Sequence, residues 1–131
     1  MFSGMKQLYS FHKLEVYNDA RELIKQIYVL VDCFPNKERY ILSSQIQRAV
    51  ISVASNIAEG TSRSSYKEKE RFIEIAYGSL VETYCQLEIA CDLNYITNEQ
   101  LEQVQLQVNK IANKLSALKK SYQKSIESNN N

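Results

Sequence analysis

Apolar residues recur along this chain at intervals of three and four, in four separate runs. The first is Val16, Ala20, Leu23, Ile27, Leu30 and Phe34, spaced four, three, four, three and four, the signature of a helix that buries one face. Pro35 follows at once, and its ring disfavours helical geometry at the residue before it, so this helix is predicted to end near Phe34. Asn36 to Leu42 reads as a short connection or a single turn. From Ser43 a second helix carries Ile46, Ala49, Val50, Val53 and Ile57 on one face. Gly60 stands where a left-handed C-terminal cap is wanted, which bounds this helix at about 43–60.

Ser65 followed three residues later by Glu68 is a capping-box pattern and opens a third helix. Its expected stripe is Phe72, Ile75, Ala76, Leu80, Tyr84, Leu87 and Ala90 to Leu93, with Asn94 as terminator. Thr97 and Gln100 repeat the box. After them Leu101, Val104, Val108, Ile111, Leu115, Leu118 and Tyr122 alternate three and four, the most regular heptad seam in the chain. Short loops join antiparallel neighbours, so the predicted fold class is all-α, an antiparallel up-down-up-down four-helix bundle. Residues 1–12 read as a partly disordered N-terminal leader, 13–124 as the bundle and 125–131, ending in three Asn, as a disordered polar tail.

Composition then narrows the classes of function. A chain of 131 residues with 3 Gly, 1 Pro and 44% hydrophobic residues is one domain with a core, which excludes collagen-like and linker classes. No apolar run approaches the roughly 20 residues that cross a bilayer, and the first residues have no apolar signal core. Cys33, Cys85 and Cys91 are an odd number in a chain poor in Gly and Pro; they read as reduced, small packing residues of a cytoplasmic protein.

Candidate chemistry is sparse. His12 is the only histidine, and Tyr9 rather than a carboxylate lies three residues before it, so the Glu-x-x-His motif of di-metal bundles is missing. Cys85 and Cys91 stand six apart, roughly 240° round a helix, which does not gather a zinc site. Gly4, Gly60 and Gly78 are too scattered for a phosphate loop. The expectation is a non-enzyme with no catalytic residue, no metal, no cofactor, no small-molecule substrate and no membrane partner.

The informative segment is the second helix. Gln45, Arg48, Ser52, Asn56 and Glu59 line up as a narrow polar stripe, flanked on one side by Ile46, Val50, Val53 and Ile57 and on the other by Ile51, Ala54 and Ala58. One apolar stripe satisfies one core; two imply a second partner, another subunit. The polar stripe has a functional reading, with Arg48 and Glu59 as a recognition or catalytic pair. The preferred reading is structural, with Arg48 bonded to a carboxylate such as Glu82 of the third helix and Asn56 and Ser52 satisfying neighbouring polar groups at an interface. Gly78 inside the third helix costs about 1 kcal/mol of helix propensity, which close approach of another helix would offset.

Charge is uneven although the total is +1. Lys110, Lys114, Lys119, Lys120 and Lys124 fall between Gln103 and Ile126 with no Asp or Glu among them. They read either as a solvated helix end that complements the dipole or, with Arg63, as a basic stripe for phosphates.

The run Gln45 to Gly60, with its Gln-x-x-Arg-Ala and Ser-x-x-x-Asn-Ile-Ala-Glu-Gly pattern, closely resembles the signature of the four helix bundle protein family, also called 23S ribosomal RNA intervening sequence proteins. Phe34-Pro35 with Glu38, Ala76-x-Gly78-Ser79-Leu80 with Glu82, and Leu93-x-Tyr95 extend the match over about 11–120. The resemblance implies a bundle that assembles into a small ring, a homopentamer, with no known catalytic activity. The family is similar to the accessory variability determinant of diversity-generating retroelements, a barrel-shaped pentamer that partners a reverse transcriptase and binds nucleic acid. Near-neutral charge departs from those basic proteins, and Tyr17 stands where the family often has Trp. The expected function is therefore a non-enzymatic homo-oligomeric scaffold or accessory subunit of an RNA or reverse-transcriptase complex. The alternative is a nucleic-acid-binding module that uses the lysine-rich fourth helix; an enzyme built on Arg48, Glu59 and Glu82 has the least support.

Overall fold

The computed structural model describes Phe11 and residues 14–130. The expected leader lies outside the described residues except for Phe11, whose ring meets Tyr17 edge-on at 4.8 Å between centroids; His12 also lies outside them. The described residues form α1 (Glu15–Val31), a single 3₁₀ turn (Asn36–Glu38), α2 (Leu42–Thr61), α3 (Tyr66–Asp92) and α4 (Asn98–Asn130). Each helix packs on the next and α4 closes onto α1, around one core to which all four contribute. The all-α antiparallel four-helix bundle read from periodicity is the observed fold.

Period and burial agree closely in α1 and α2. All of the apolar positions expected from Val16 to Phe34 and from Ile46 to Ile57 are buried. Although α1 ends at Val31, the amides of Cys33 and Phe34 donate to the carbonyls of Leu30 and Val31, and this tight turn still delivers the Phe34 ring to the core. In α4, Val104, Val108, Ile111 and Leu115 are buried, while Leu101, Leu118 and Tyr122 nearer the ends are half-buried. Ile96, in the loop before α4, closes one end of the core.

The third helix departs from expectation. Ile75 and Leu93 are 40% and 49% exposed, whereas Ile73 and Thr83 are buried. Apolar residues lie on several sides of α3, so spacing alone leaves its rotation undetermined, and packing against α2 and α4 decides it. Thr83 tolerates burial because its hydroxyl donates to the Ser79 carbonyl at 2.8 Å.

Capping follows the sequence with two differences. At α4 the box is reciprocal: the Gln100 amide donates to Thr97 Oγ1 at 3.1 Å and the Thr97 amide to Gln100 Oε1 at 2.8 Å. At α3 it is half formed, since Ser65 Oγ accepts from the Glu68 amide but the Glu68 carboxylate takes Arg71 instead. Asn94 ends α3 at φ 64°, the left-handed geometry expected of a terminator. Gly60 is not a cap. It lies inside α2, has no positive φ, and a Cβ there would stand 2.9 Å from the Phe72 Cβ, so its role is to let α3 approach. Gly78 is the reverse: it is exposed, a Cβ there would meet nothing within 4 Å, and no helix among the described residues offsets its propensity cost.

Residues 125–130, expected as a disordered tail, continue α4 as helix. No Gly or Pro follows Gly78 to stop it, Ser125 Oγ bonds back to the Ser121 carbonyl at 3.2 Å, and the Tyr122 ring rests 6.1 Å from that of Tyr66. At its opposite end the bundle is tied by Tyr95, whose ring lies 5.6 Å from Phe34 and whose hydroxyl donates to Glu38 Oε2 at 2.7 Å.

The two glycines give opposite expectations in urea unfolding. Gly60→Ala forces Phe72 off its seat and lowers stability by about 1–3 kcal/mol, whereas Gly78→Ala removes a helix-interior glycine without a clash and raises it by up to about 1 kcal/mol.

Candidate functional site

The polar stripe of α2 divides into an inner and an outer half. The inner half is a compact network: Ser52 Oγ and Ser79 Oγ are 2.9 Å apart, and Asn56 Nδ2 donates to both Ser52 Oγ and the Ser52 carbonyl at 2.9 Å. These half-buried groups satisfy one another across the α2–α3 seam, as the structural reading expected. The outer half does not follow that reading. Arg48 is exposed and has no ion pair or hydrogen bond among the described residues, and Glu82 instead accepts from Gln86 Nε2 at 3.3 Å. Arg48 sits about 40° round the helix from Ser52 on the solvent side, where water hydrates the guanidinium and an ion pair gains little. Glu59 is engaged by Arg63 Nη2 at 2.9 Å on its own helix end, and Gln45 is exposed. Arg48, Glu59 and Glu82 therefore do not converge. Gln86 Oε1 is a buried acceptor without a hydrogen-bond partner.

The second apolar face of α2 is incompletely covered by its own chain. Ala54 is buried and Ala58 half-buried, but Ile51 is 42% exposed. The third helix adds more, with Ile75, Tyr77, Val81 and Ile89 all exposed. Two grooves run along the α3–α4 seam on either side of Tyr77. One of about 330 Å³ is lined by Ile73, Leu115 and Ser116, and one of about 170 Å³ by Val81, Tyr84, Val108 and Ala112.

The lysines of α4 are largely engaged within the chain. Lys114 Nζ lies 2.6 Å from Asp19 Oδ2 and 3.1 Å from Glu15 Oε2, Lys110 lies 3.4 Å from Asp19 Oδ1, and Lys119 lies 3.1 Å from Glu74 Oε1. Lys120 and Lys124 have no ion pair among the described residues. Arg63, besides Glu59, stacks its guanidinium 4.6 Å from the Phe72 ring centroid. The acidic partners Glu15, Asp19 and Glu74 escape a reading of α4 alone, because they belong to the two helices that flank it. Hydrogen bonds to Asp19 and then Glu15 hold the Lys114 ammonium above its usual pKa. The Tyr95 phenol is likewise raised, chiefly by its hydrogen bond to Glu38. Burial lowers Lys69, whose ammonium caps α2 by donating to the Thr61 carbonyl at 2.8 Å.

Among the described residues no group of three His, Cys, Asp or Glu could hold a metal ion. Cys33 and Cys85 are exposed rather than packed, a correction to their expected role; Cys91 is half-buried against the core, its thiol 3.1 Å from Asn98 Oδ1. No helix among the described residues is long and apolar enough to cross a membrane.

Comparison with known proteins adds a family and a fold. The family model described as 23S rRNA-intervening sequence protein matches residues 12–117. A crystal structure from Bacteroides thetaiotaomicron, of a protein with unknown function from the S23 ribosomal protein family, superposes with a TM-score of 0.74 at 27% identity, covering 80% of this chain and 98% of that one. No curated protein matches the chain.

Removing Ser52 should matter more than removing Arg48. In urea unfolding of dilute protein, Ser52→Ala orphans bonds of Ser79 and Asn56 and costs about 1–2 kcal/mol, while Arg48→Ala changes stability by less than about 0.5 kcal/mol. Stability should also fall in alkali. The folded-state pKa of Lys114 exceeds 10.5 and that of Tyr95 exceeds 10.0, so their contributions are complete below those values and vanish as pH rises through the raised ones. Tyr95→Phe should flatten the decline of the thermal midpoint above about pH 10.

Proposed function

This chain belongs to the 23S rRNA-intervening sequence protein family, whose model spans residues 12–117, and from that premise we propose that it is a non-enzymatic, self-assembling scaffold or accessory subunit. The supporting observation is the set of aliphatic side chains that α2 and α3 leave uncovered. Ile51 on α2 and Ile75, Val81 and Ile89 on α3 are each at least 40% exposed, although these two helices pack on one another more extensively than any other pair. Single exposed apolar residues are ordinary on a monomer; a helix with neighbours on both sides that still presents three of them is built to meet something else.

The partner that accounts for this surface is further copies of the chain. A homopentameric ring is the assembly implied by the family resemblance, working in the cytoplasm as a component of an RNA or reverse-transcriptase complex. A second reading, direct nucleic-acid binding through α4, draws its support from Lys120 and Lys124, whose charge no carboxylate among the described residues neutralises. Pairing of Lys110, Lys114 and Lys119 reduces the charge available for counterion release and places this reading second.

Light scattering at several protein concentrations, with and without RNA at low and high salt, tests both. The expected mass at the higher concentrations is near five chains of 15.2 kDa each. A monomer at every concentration overturns the scaffold reading, and an RNA-dependent shift seen only at low salt supports the second one.

A further inference from the structure

Unpaired carboxylates crowd one stretch of the chain. From Phe72 to Asn109, most of α3 and the start of α4, the chain carries Glu74, Glu82, Glu88, Asp92, Glu99 and Glu102 and no Lys or Arg. Glu74 is neutralised by Lys119; the other five are exposed and have no ion pair among the described residues. By contrast, α2 carries Arg48 and Glu59 as its only charged residues, and Glu59 is taken by Arg63. Among the described residues Arg48 thus has no ion pair on the outer face of α2, and neither has Glu88 beside the α3–α4 groove.

The same two surfaces differ in shape. Arg48, Ile51, Ser55 and Ala58 follow one another at intervals of three, four and three along the outer face of α2, a ridge of one apolar side chain flanked by small ones. Tyr77, Val81 and Ala112 line the groove of about 170 Å³ between α3 and α4. Glu88 is one helical turn beyond Tyr84, which lines the same groove, and is exposed.

We propose that these are the two halves of one heterologous interface, in which the α2 ridge of one protomer seats in the α3–α4 groove of the next and Arg48 meets Glu88 of the partner subunit. This rests on the self-assembly reading above and gives it a geometry. A two-fold contact of the α2 ridge with itself offers Arg48 no unengaged carboxylate, since Glu59, the other charged residue of α2, is held by Arg63. A head-to-tail contact pairs each surface with its complement and closes into a ring when the rotation between protomers allows.

The test uses the full-length chain and its variants Arg48→Glu, Glu88→Arg and the double exchange R48E/E88R, with mass read by light scattering at low salt. Both residues are exposed and have no ion pair among the described residues, so circular dichroism should report an intact bundle for each variant. Each single reversal should weaken assembly at least tenfold, and the double exchange, which restores opposite charges across every contact, should recover the wild-type mass. Single variants that keep the wild-type mass, or a double exchange that does not recover it, overturn this interface while leaving assembly itself standing; the groove would then belong to an unlike partner. A wild-type monomer instead overturns the self-assembly reading and the interface with it.

Discussion

The close seating of α2 on α3 governs the arrangement of the rest. At Gly60 a single methyl group would collide with the Phe72 Cβ, and further along the seam the Ser52 and Ser79 hydroxyls meet at 2.9 Å. Two helices held at that distance interlock through small side chains, so α3 cannot turn about its axis without breaking contacts at both places. Its rotation places Ile73 and Thr83 in the core and turns Ile75, Val81 and Ile89 outward. The exposed apolar surface from which self-assembly is argued is therefore a consequence of the tightest internal contact.

The seam between α1 and α4 is held differently. Lys110 and Lys114 reach Asp19, Lys114 also reaches Glu15, and Gln107 Nε2 donates to the Asp19 carbonyl at 2.8 Å. Asp19 is the centre of this cluster, and its side chain is only 14% exposed, which strengthens pairs that would be weak in open water. The lysines that make α4 look like a phosphate-binding stripe thus join two helices of one chain. Among the described residues, the charges left without an ion pair include carboxylates of α3 and the start of α4, Arg48 on the outer face of α2, and Lys120 and Lys124 toward the end of α4.

Much of the fold was legible in the residues. The three-and-four spacing located all four helices, the Thr97 and Gln100 box and Asn94 marked ends that the structure confirms, and the core lists for α1 and α2 needed no correction. Errors arose where a residue has a second use. Gly60 resembled a cap because glycine favours left-handed geometry, but here the missing Cβ matters for approach rather than for φ. The tail beyond Ser125 looked too polar to order, yet a chain with no helix breaker continues a helix it has already nucleated. Of the candidate site, Ser52 and Asn56 were placed correctly, whereas the expected Arg48–Glu82 pair did not form.

Sequence by itself determined the number of helices, their order, which face of α1, α2 and α4 turns inward, and the family, because these follow from local period, capping chemistry and a contiguous motif. Only the tertiary structure decided the rotation of α3, the engagement of the α4 lysines, and the absence of an ion pair at Arg48 among the described residues. Each of these depends on which side chains from distant parts of the chain meet, as Lys114 and Asp19 do across 95 residues. Periodicity describes one helix at a time; the partner of a charge or a ridge is known only once the helices have packed.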